Sequence, residues 1–306
     1  MAEKIITPDQ HEITIKKAKV FTLPQIILMI VILIFSLTCL LPFVNVAAVS
    51  FSSKSAILRG DVSFWPVEFE TTAYQAIFSD KSMIHSLVYT VEITVGYTVL
   101  AMIMTILMAY PLTKTRLRGR KFFSFLALFT MYFSGGTIPI YLNIKELGLL
   151  DTPWSLILPG MLSTYNMIIL RSFFNALPKE LEEAAIIDGA NDFQVLLRVY
   201  LPLSMASLAT LTLFYAVGKW NSFQDALYYI SNKAYQPLQL KLYHIIKGSQ
   251  AVDVAALEGG ASTVATSVSE LIEPATIIFA TLPILVVYPF VQRYFVAGVT
   301  IGAVKG

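Results

Sequence analysis

The stretch ELEEAAIIDGANDFQVLLRVYLP, residues 180–202, is acidic and amphipathic, and long apolar runs lie on both sides of it. Pro178 suits a first helical position, and KELEEAAII follows with good helix formers whose acids fall in the opening turns, where the helix dipole favours them. Gly189 is a natural C-terminal stop. Asn191 or Asp192 can cap a second helix, in which Phe193, Leu196, Leu197, Tyr200 and Leu201 recur at i, i+3, i+4, i+7 and i+8. Pro202 marks where the next apolar run starts. The pattern predicts a short helix, a glycine turn and an amphipathic helix, tethered at both ends to membrane spans. That geometry presents a protruding helix to a partner beneath the membrane.

The surrounding chain supports a membrane setting. Its 306 residues are 56% hydrophobic and 14% charged, with a mean hydropathy of +0.67, outside the profile of a soluble domain. A net charge of +2 gives no electrostatic case for a nucleic-acid partner. The single cysteine, Cys39, lies in an apolar run, so neither an intramolecular disulfide nor a cysteine metal cluster is possible.

Six stretches approach the roughly 20 apolar residues that cross a bilayer: 24–49, 86–112, 122–144, 154–175, 203–228 and 275–296. The first reads as a retained span, because its apolar run is too long and starts too late for a signal peptide, and LLPFVNVAAVS is a poor cleavage site. Orientation follows from the cations. Lys4, Lys16, Lys17 and Lys19 precede the first span, and the connection KTRLRGRK (114–121) carries five basic residues in eight and no acid. The positive-inside rule places both in the cytoplasm. The tail 1–23, the loop 178–202 and the tail 297–306 are then cytoplasmic, while 50–85, 145–153 and 229–274 face outward.

With that topology in place, EAAIIDGANDFQVLLRVYLP (183–202) resembles the EAA loop of ABC importer permeases, with Glu183, Ala184, Ala185, Gly189 and the Leu201–Pro202 pair at the family's spacing. The likeness extends to FTMYFSGGTIPIYL, LILPGMLSTYNMIILRSFF, LFYAVGKWNSF and the tail VYPFVQRYFVAGVTIGAVKG, all similar to carbohydrate-type permeases and in particular to the LplC/YtcP group, with a more distant relation to the smaller maltose-importer permease. The resemblance implies an all-α integral membrane protein of the type I ABC importer permease fold: six transmembrane helices, a permease core over 86–296, and a cytoplasmic EAA coupling helix. In that family the coupling helix docks in a cleft of a cytoplasmic ATPase and transmits its closure to the spans. Glu183 would pair with a basic group of the ATPase, Ala184 and Ala185 would permit close approach, and Gly189 would set the turn. Asp188, Ala190, Arg198, Leu201 and Pro202 complete the implied coupling set. Small side chains allow tight helix docking and a charge-assisted contact fixes register, which is an independent physical case. The resemblance also implies that Gly298, Gly302, Lys305 and Gly306 form a tail reaching between ATPase subunits; a frayed terminus is the plain alternative.

A working importer of this kind needs a second, homologous permease as a heterodimer, two copies of the ATPase and an extracellular solute-binding protein, a lipoprotein if the source is Gram-positive. The expected location is the bacterial plasma membrane, multi-pass, and the expected substrate is an oligosaccharide or complex glycan. No cofactor is expected on this chain; ATP and Mg belong to the partner ATPase. No G-x-x-x-x-G-K-[ST] phosphate loop, zinc-ligand helix or nucleophile elbow occurs in the sequence, so it reads as no enzyme by itself.

Sugar contacts want aromatic faces and side-chain amides. STYNM offers Tyr165 and Asn166, and KWNSFQD offers Trp220, Asn221, Phe223, Gln224 and Asp225. Interfacial anchoring and interhelix hydrogen bonding are the bland readings of the same residues. Glu92 is the one acid well inside a span, and a hydrogen bond across a helix interface or contact with an aqueous cavity suits it better than an ion path. His11, His85 and His244 show no metal spacing. An autonomous channel or ion-coupled transporter would show paired intramembrane charges or broken helices, and the glycines of FSGGTIP are the only suggestive break. The small-residue segment around 250–262 reads either as a loop that enters the binding protein or as a mobile surface loop. SELIEPATI places Glu273 and Pro274 just before the last span, where relatives usually carry a basic residue and Met.

Overall fold

The computed structural model describes residues 22–257 and 272–289, and its regular structure there is helical. The helices are α1 (Leu23–Ser50), α2 (Lys54–Arg59), α3 (Thr72–Ser79), α4 (Lys81–Ala109), α5 (Arg120–Tyr132), α6 (Thr137–Glu146), α7 (Trp154–Ile157), α8 (Thr164–Ala176), α9 (Lys179–Ile187), α10 (Asp192–Leu203), α11 (Met205–Trp220), α12 (Gln224–Tyr229), α13 (Leu238–Leu257) and α14 (Ile272–Pro289). A 3₁₀ turn over Pro111–Thr113 follows α4. The tail residues Gly298, Gly302, Lys305 and Gly306 lie outside the described residues.

Helix α4 is the axis of the fold. Its buried Ser86, Thr90, Thr94, Thr98, Ala101, Thr105 and Ala109 recur every three or four residues, so they line one helix face. Such small and hydroxyl side chains let neighbouring helices approach closely in a membrane. Helices α8, α11 and α13 pack against α4. Polar bonds fix the fit: the Thr105 and Tyr215 hydroxyls meet at 2.6 Å, and the Leu238 N–H donates to Thr90 Oγ1 at 2.8 Å. The main core joins Met102 of α4 and its cap Tyr110 to Met167 and Phe174 of α8, Leu196 of α10 and Leu211 of α11. Helix α1 is different: residues 23–44 are all exposed, and burial begins only near its end, at Ala48 and Ser50.

Among the described residues three helices, α1, α4 extended to Thr113, and α14, are long and apolar enough to cross a membrane. The expected count of six spans is therefore not confirmed among the described residues, and several of the expected runs are broken. The third, 122–144, is a bent pair: α5 and α6 meet at 114°. The bend falls in FSGGTIP, where Gly136 adopts φ 90°, a backbone geometry that L side chains rarely take. The fifth is displaced, since α11 starts at Met205 and pairs with α10 across an 84° bend. Counting each bent pair as one span gives five. The expected fourth, 154–175, is split into α7 and α8, with Pro159 and the positive-φ Gly160 between them. Within the expected outer loop 229–274, α13 is a 20-residue helix.

Candidate functional site: the coupling loop

Helix α9 is capped by Pro178 rather than begun by it, and Glu180 and Glu182 occupy its first turn. Gly189 stops it in the left-handed region at φ 83°. The Gly189 and Ala190 N–H groups donate back to the Ile186 and Ala185 carbonyls, both at 3.0 Å, so the last carbonyls of the helix are satisfied. Asn191 then caps α10: its side chain accepts from the Gln194 N–H at 2.9 Å while its own N–H donates to Gln194 Oε1 at 2.9 Å. Local chemistry thus builds the whole turn between the two helices.

Further along α10, Pro202 has no N–H for the Arg198 carbonyl, and its ring crowds that carbonyl. The helix widens there into a π turn over Leu196–Tyr200, with the Leu201 N–H donating to the Leu196 carbonyl five residues back. Ser204 then breaks the helix ahead of α11.

One side of α9 is bound into the protein. The Lys114 ammonium lies 2.7 Å from the Glu182 carboxylate, with side chains 10% and 20% exposed. The Tyr200 hydroxyl donates to the same carboxylate at 2.6 Å and accepts from Lys114 at 3.2 Å. The ammonium also stands 4.3 Å from the ring centres of both Tyr110 and Tyr200, a cation–π arrangement. Phe174 closes the cluster edge-on against both tyrosines. Burial works to raise the Glu182 pKa, but the bonds from Lys114 and Tyr200 outweigh it and hold the carboxyl below its ordinary value. Nearby, Arg116 pairs with Asp192, and the Tyr110 hydroxyl donates to the Asp192 carbonyl at 3.0 Å. The second span and both loop helices are joined at this one place.

The other side of α9 is free. Glu183 and Ala184 are exposed, as are Leu181 and Ile187. In the corner between α9 and α10, Ala185, Asp188, Gly189, Ala190 and Arg198 line one groove of about 300 Å³. Leu201 is half-buried against the main core and Pro202 is exposed. The arrangement offers a helix with two alanines and an acid toward its open side, tied from behind by a partly buried ion pair.

Over residues 20–256 the chain matches the family described as "Binding-protein-dependent transport system inner membrane component". It belongs to this permease family. The permease is 41% identical over 275 residues to the polygalacturonan/rhamnogalacturonan transport system permease protein YtcP of Bacillus subtilis, covering 90% of this chain and 96% of that one. It is 43% identical over 267 residues to protein LplC of the same organism, covering 87% and 90%. Among solved structures, a chain of a bacterial ABC transporter involved in the import of the acidic polysaccharide alginate superposes with a TM-score of 0.80 at 33% identity, over 91% of this permease and 100% of that chain.

The permease's sequence-predicted pathway residues fall in different settings. Tyr165 is exposed and its neighbour Asn166 buried, at the start of α8. Trp220 is buried, and its Nε1–H donates to the Ala280 carbonyl of α14 at 3.3 Å. Asn221 donates to the Val217 carbonyl of its own helix at 2.9 Å. Phe223 stacks on Tyr243 at 4.9 Å, and Gln224 is exposed at the start of α12. Glu92 is exposed on the surface of the single chain.

The sequence reading missed Glu182, Lys114 and Tyr200. Glu182 and Glu183 are adjacent on a helix, so about 100° separates their side chains and only one can face outward. The available signal was Tyr200, which shares the buried period of Leu196; it shows that α10 buries a hydroxyl in need of a partner.

Proposed function

We propose that this chain is one of two permease subunits of an ABC importer for an oligosaccharide or complex glycan, driven by a cytoplasmic ATPase that docks on α9. The observation that carries this is the two-sided construction of α9: a free face bearing Glu183 and Ala184, and a rear face locked to Lys114 and Tyr200. A docked ATPase displaces α9 as it closes. The partly buried ion pair passes that displacement to the end of α4, and α10 passes it to α11. ATP and Mg reside on the ATPase, and an extracellular binding protein delivers the substrate. The cytoplasmic placement rests on the basic loop 114–121. The two solute names that the relatives carry, polygalacturonan/rhamnogalacturonan and alginate, favour a saccharide chain as the substrate.

The test is recovery of partners with the tagged chain. Purification in mild detergent should yield a second permease and an ATPase in a proportion of about 1:1:2, the stoichiometry the resemblance implies. Glu183→Lys reverses the docking charge and should lower the recovered ATPase by about tenfold, the equivalent of ~1.4 kcal/mol. Gly189→Pro cannot adopt a positive φ, and should abolish uptake while the chain still inserts. Undiminished ATPase recovery with Glu183→Lys, together with normal uptake by Gly189→Pro, would refute α9 as the docking element.

A further inference from the structure

A groove of about 750 Å³ opens between α5 and α8, and no residue of α9 or α10 lines it. Its lining is chemically divided. Arg120, Lys121 and Arg171 contribute three cations and Ser124 a hydroxyl, while Phe125 and Leu128 contribute exposed apolar surface. No acidic side chain lines it. Arg171 Nη1 donates to Ser124 Oγ at 3.0 Å, which fixes the guanidinium, and Arg120 and Arg171 are close enough to repel each other. Two other cations of the same basic loop are matched, Lys114 by Glu182 and Arg116 by Asp192, while Arg118 lines a different groove. Arg120, Lys121 and Arg171 have no acidic partner among the described residues.

Three clustered cations call for an anion, and guanidinium groups bind phosphate oxygens in pairs. The apolar part of the lining narrows the choice. From Lys121 to Leu128 the helix rises about 10 Å along positions i, i+4 and i+7, one continuous face. A free phosphate would leave that apolar surface in water, whereas an amphiphile would cover both parts. We propose that the groove binds an anionic phospholipid, its headgroup phosphate held by Arg120, Lys121 and Arg171 and its acyl chain lying along Phe125 and Leu128. This rests on the reading that places loop 114–121 at the cytoplasmic membrane face, where anionic headgroups attract basic segments.

The test is native mass spectrometry of the purified full-length chain with its partner subunits, titrated with phosphatidylglycerol or with phosphatidylcholine of the same acyl chains. Phosphatidylglycerol should be retained about tenfold better, and Arg120→Gln/Arg171→Gln should reduce it to the phosphatidylcholine level. Lys54→Gln/Lys145→Gln, which removes the same charge outside the groove, should leave the preference intact. Lys121 is exposed, so Lys121→Glu is a safe variant for folding, and it should weaken retention by threefold or more. Equal retention of the two lipids, or no loss in the groove variants, overturns the proposal. Competition by glycerol 1-phosphate at the same concentration as the lipid points to a soluble anion and also overturns it, as does a cross-link from Ser124→Cys to a partner subunit in place of lipid. The topology is tested separately: on a Cys39→Ser background, labelling of Thr115→Cys by an impermeant maleimide in intact cells would remove the cytoplasmic placement while leaving the measured lipid preference standing.

Discussion

The two ends of α4 are both tied to neighbouring helices by ion pairs, yet the pairs differ in setting. At one end Asp80 caps α4 and meets Lys241 of α13 at 3.0 Å, with the Asp80 side chain 45% exposed and Ser82 sharing the ammonium. Beyond the other end Lys114 meets Glu182 at 2.7 Å under a roof of tyrosine rings. A solvated pair is screened and contributes little. The Lys114–Glu182 pair is partly buried; a pair so shielded adds little net stability over an apolar substitute, but removing one member strands a poorly solvated charge. The first pair is therefore the weaker tie, and the second the costlier one to break.

Substitutions rank this contrast. Lys114→Met leaves Glu182 without a counter-charge and should cost about 3 kcal/mol, seen as a clear fall in the unfolding midpoint of the detergent-purified chain. A fall no larger than that of Lys241→Met would erase the distinction. Combining it with Glu182→Met should recover most of the loss, to within ~1 kcal/mol of the parent, while uptake stays impaired because the tie is gone. Tyr200→Phe keeps the ring and removes a hydrogen bond to a charged group, a loss of about 2 kcal/mol by the same melt.

Acid should reveal the same order. Both carboxyls sit below their ordinary values, Asp80 through its bond from Lys241 and Glu182 against the opposing pull of burial. A depressed carboxylate contributes fully above its unfolded value, 3.8 for Asp80 and 4.5 for Glu182, and the contribution is lost as pH falls through the folded one. Melting points recorded from pH 6 downward should begin to fall near the glutamate value, and Lys114→Met should flatten that first limb. At the exposed end Asp80→Asn should cost less than about 1 kcal/mol, and added salt should shrink the effect further.

The coupling loop was legible because its signals are local. Gly189 and Asn191 each act within a few residues and do in the structure what their chemistry dictates, whereas the Phe193–Leu201 period is only partly realised: Leu196 and Tyr200 are buried, but Phe193 and Leu197 are exposed and Val195 is buried in their place. The spans were less so, because hydropathy measures the solvent a segment prefers and is blind to bends. FSGGTIP betrayed one break through its glycines; the break at Pro159 and Gly160 and the one at Ser204 passed inside apolar runs. Helix α13 was hidden for another reason. Its sequence mixes Leu, Lys, His, Gly and Ser without a clean apolar stripe, and what seats it is distant: Thr90 for its first N–H and Asp80 for Lys241. The Lys114–Glu182–Tyr200 cluster joins three positions spread over the chain, which periodicity cannot connect.

The π turn at Leu196–Tyr200 has a consequence for anyone aligning, shortening or swapping this loop. One surplus residue in a helical turn is a change of phase: everything beyond it is rotated by about 100° relative to an uninterrupted α-helix. A deletion within those five positions would barely shorten α10, yet it would turn the exposed face of α9, the one proposed to dock, a quarter-circle or more from its present direction. In this segment residue count works as a dial for angle, so chimaeras between relatives should exchange the π turn and Pro202 together with the loop they orient.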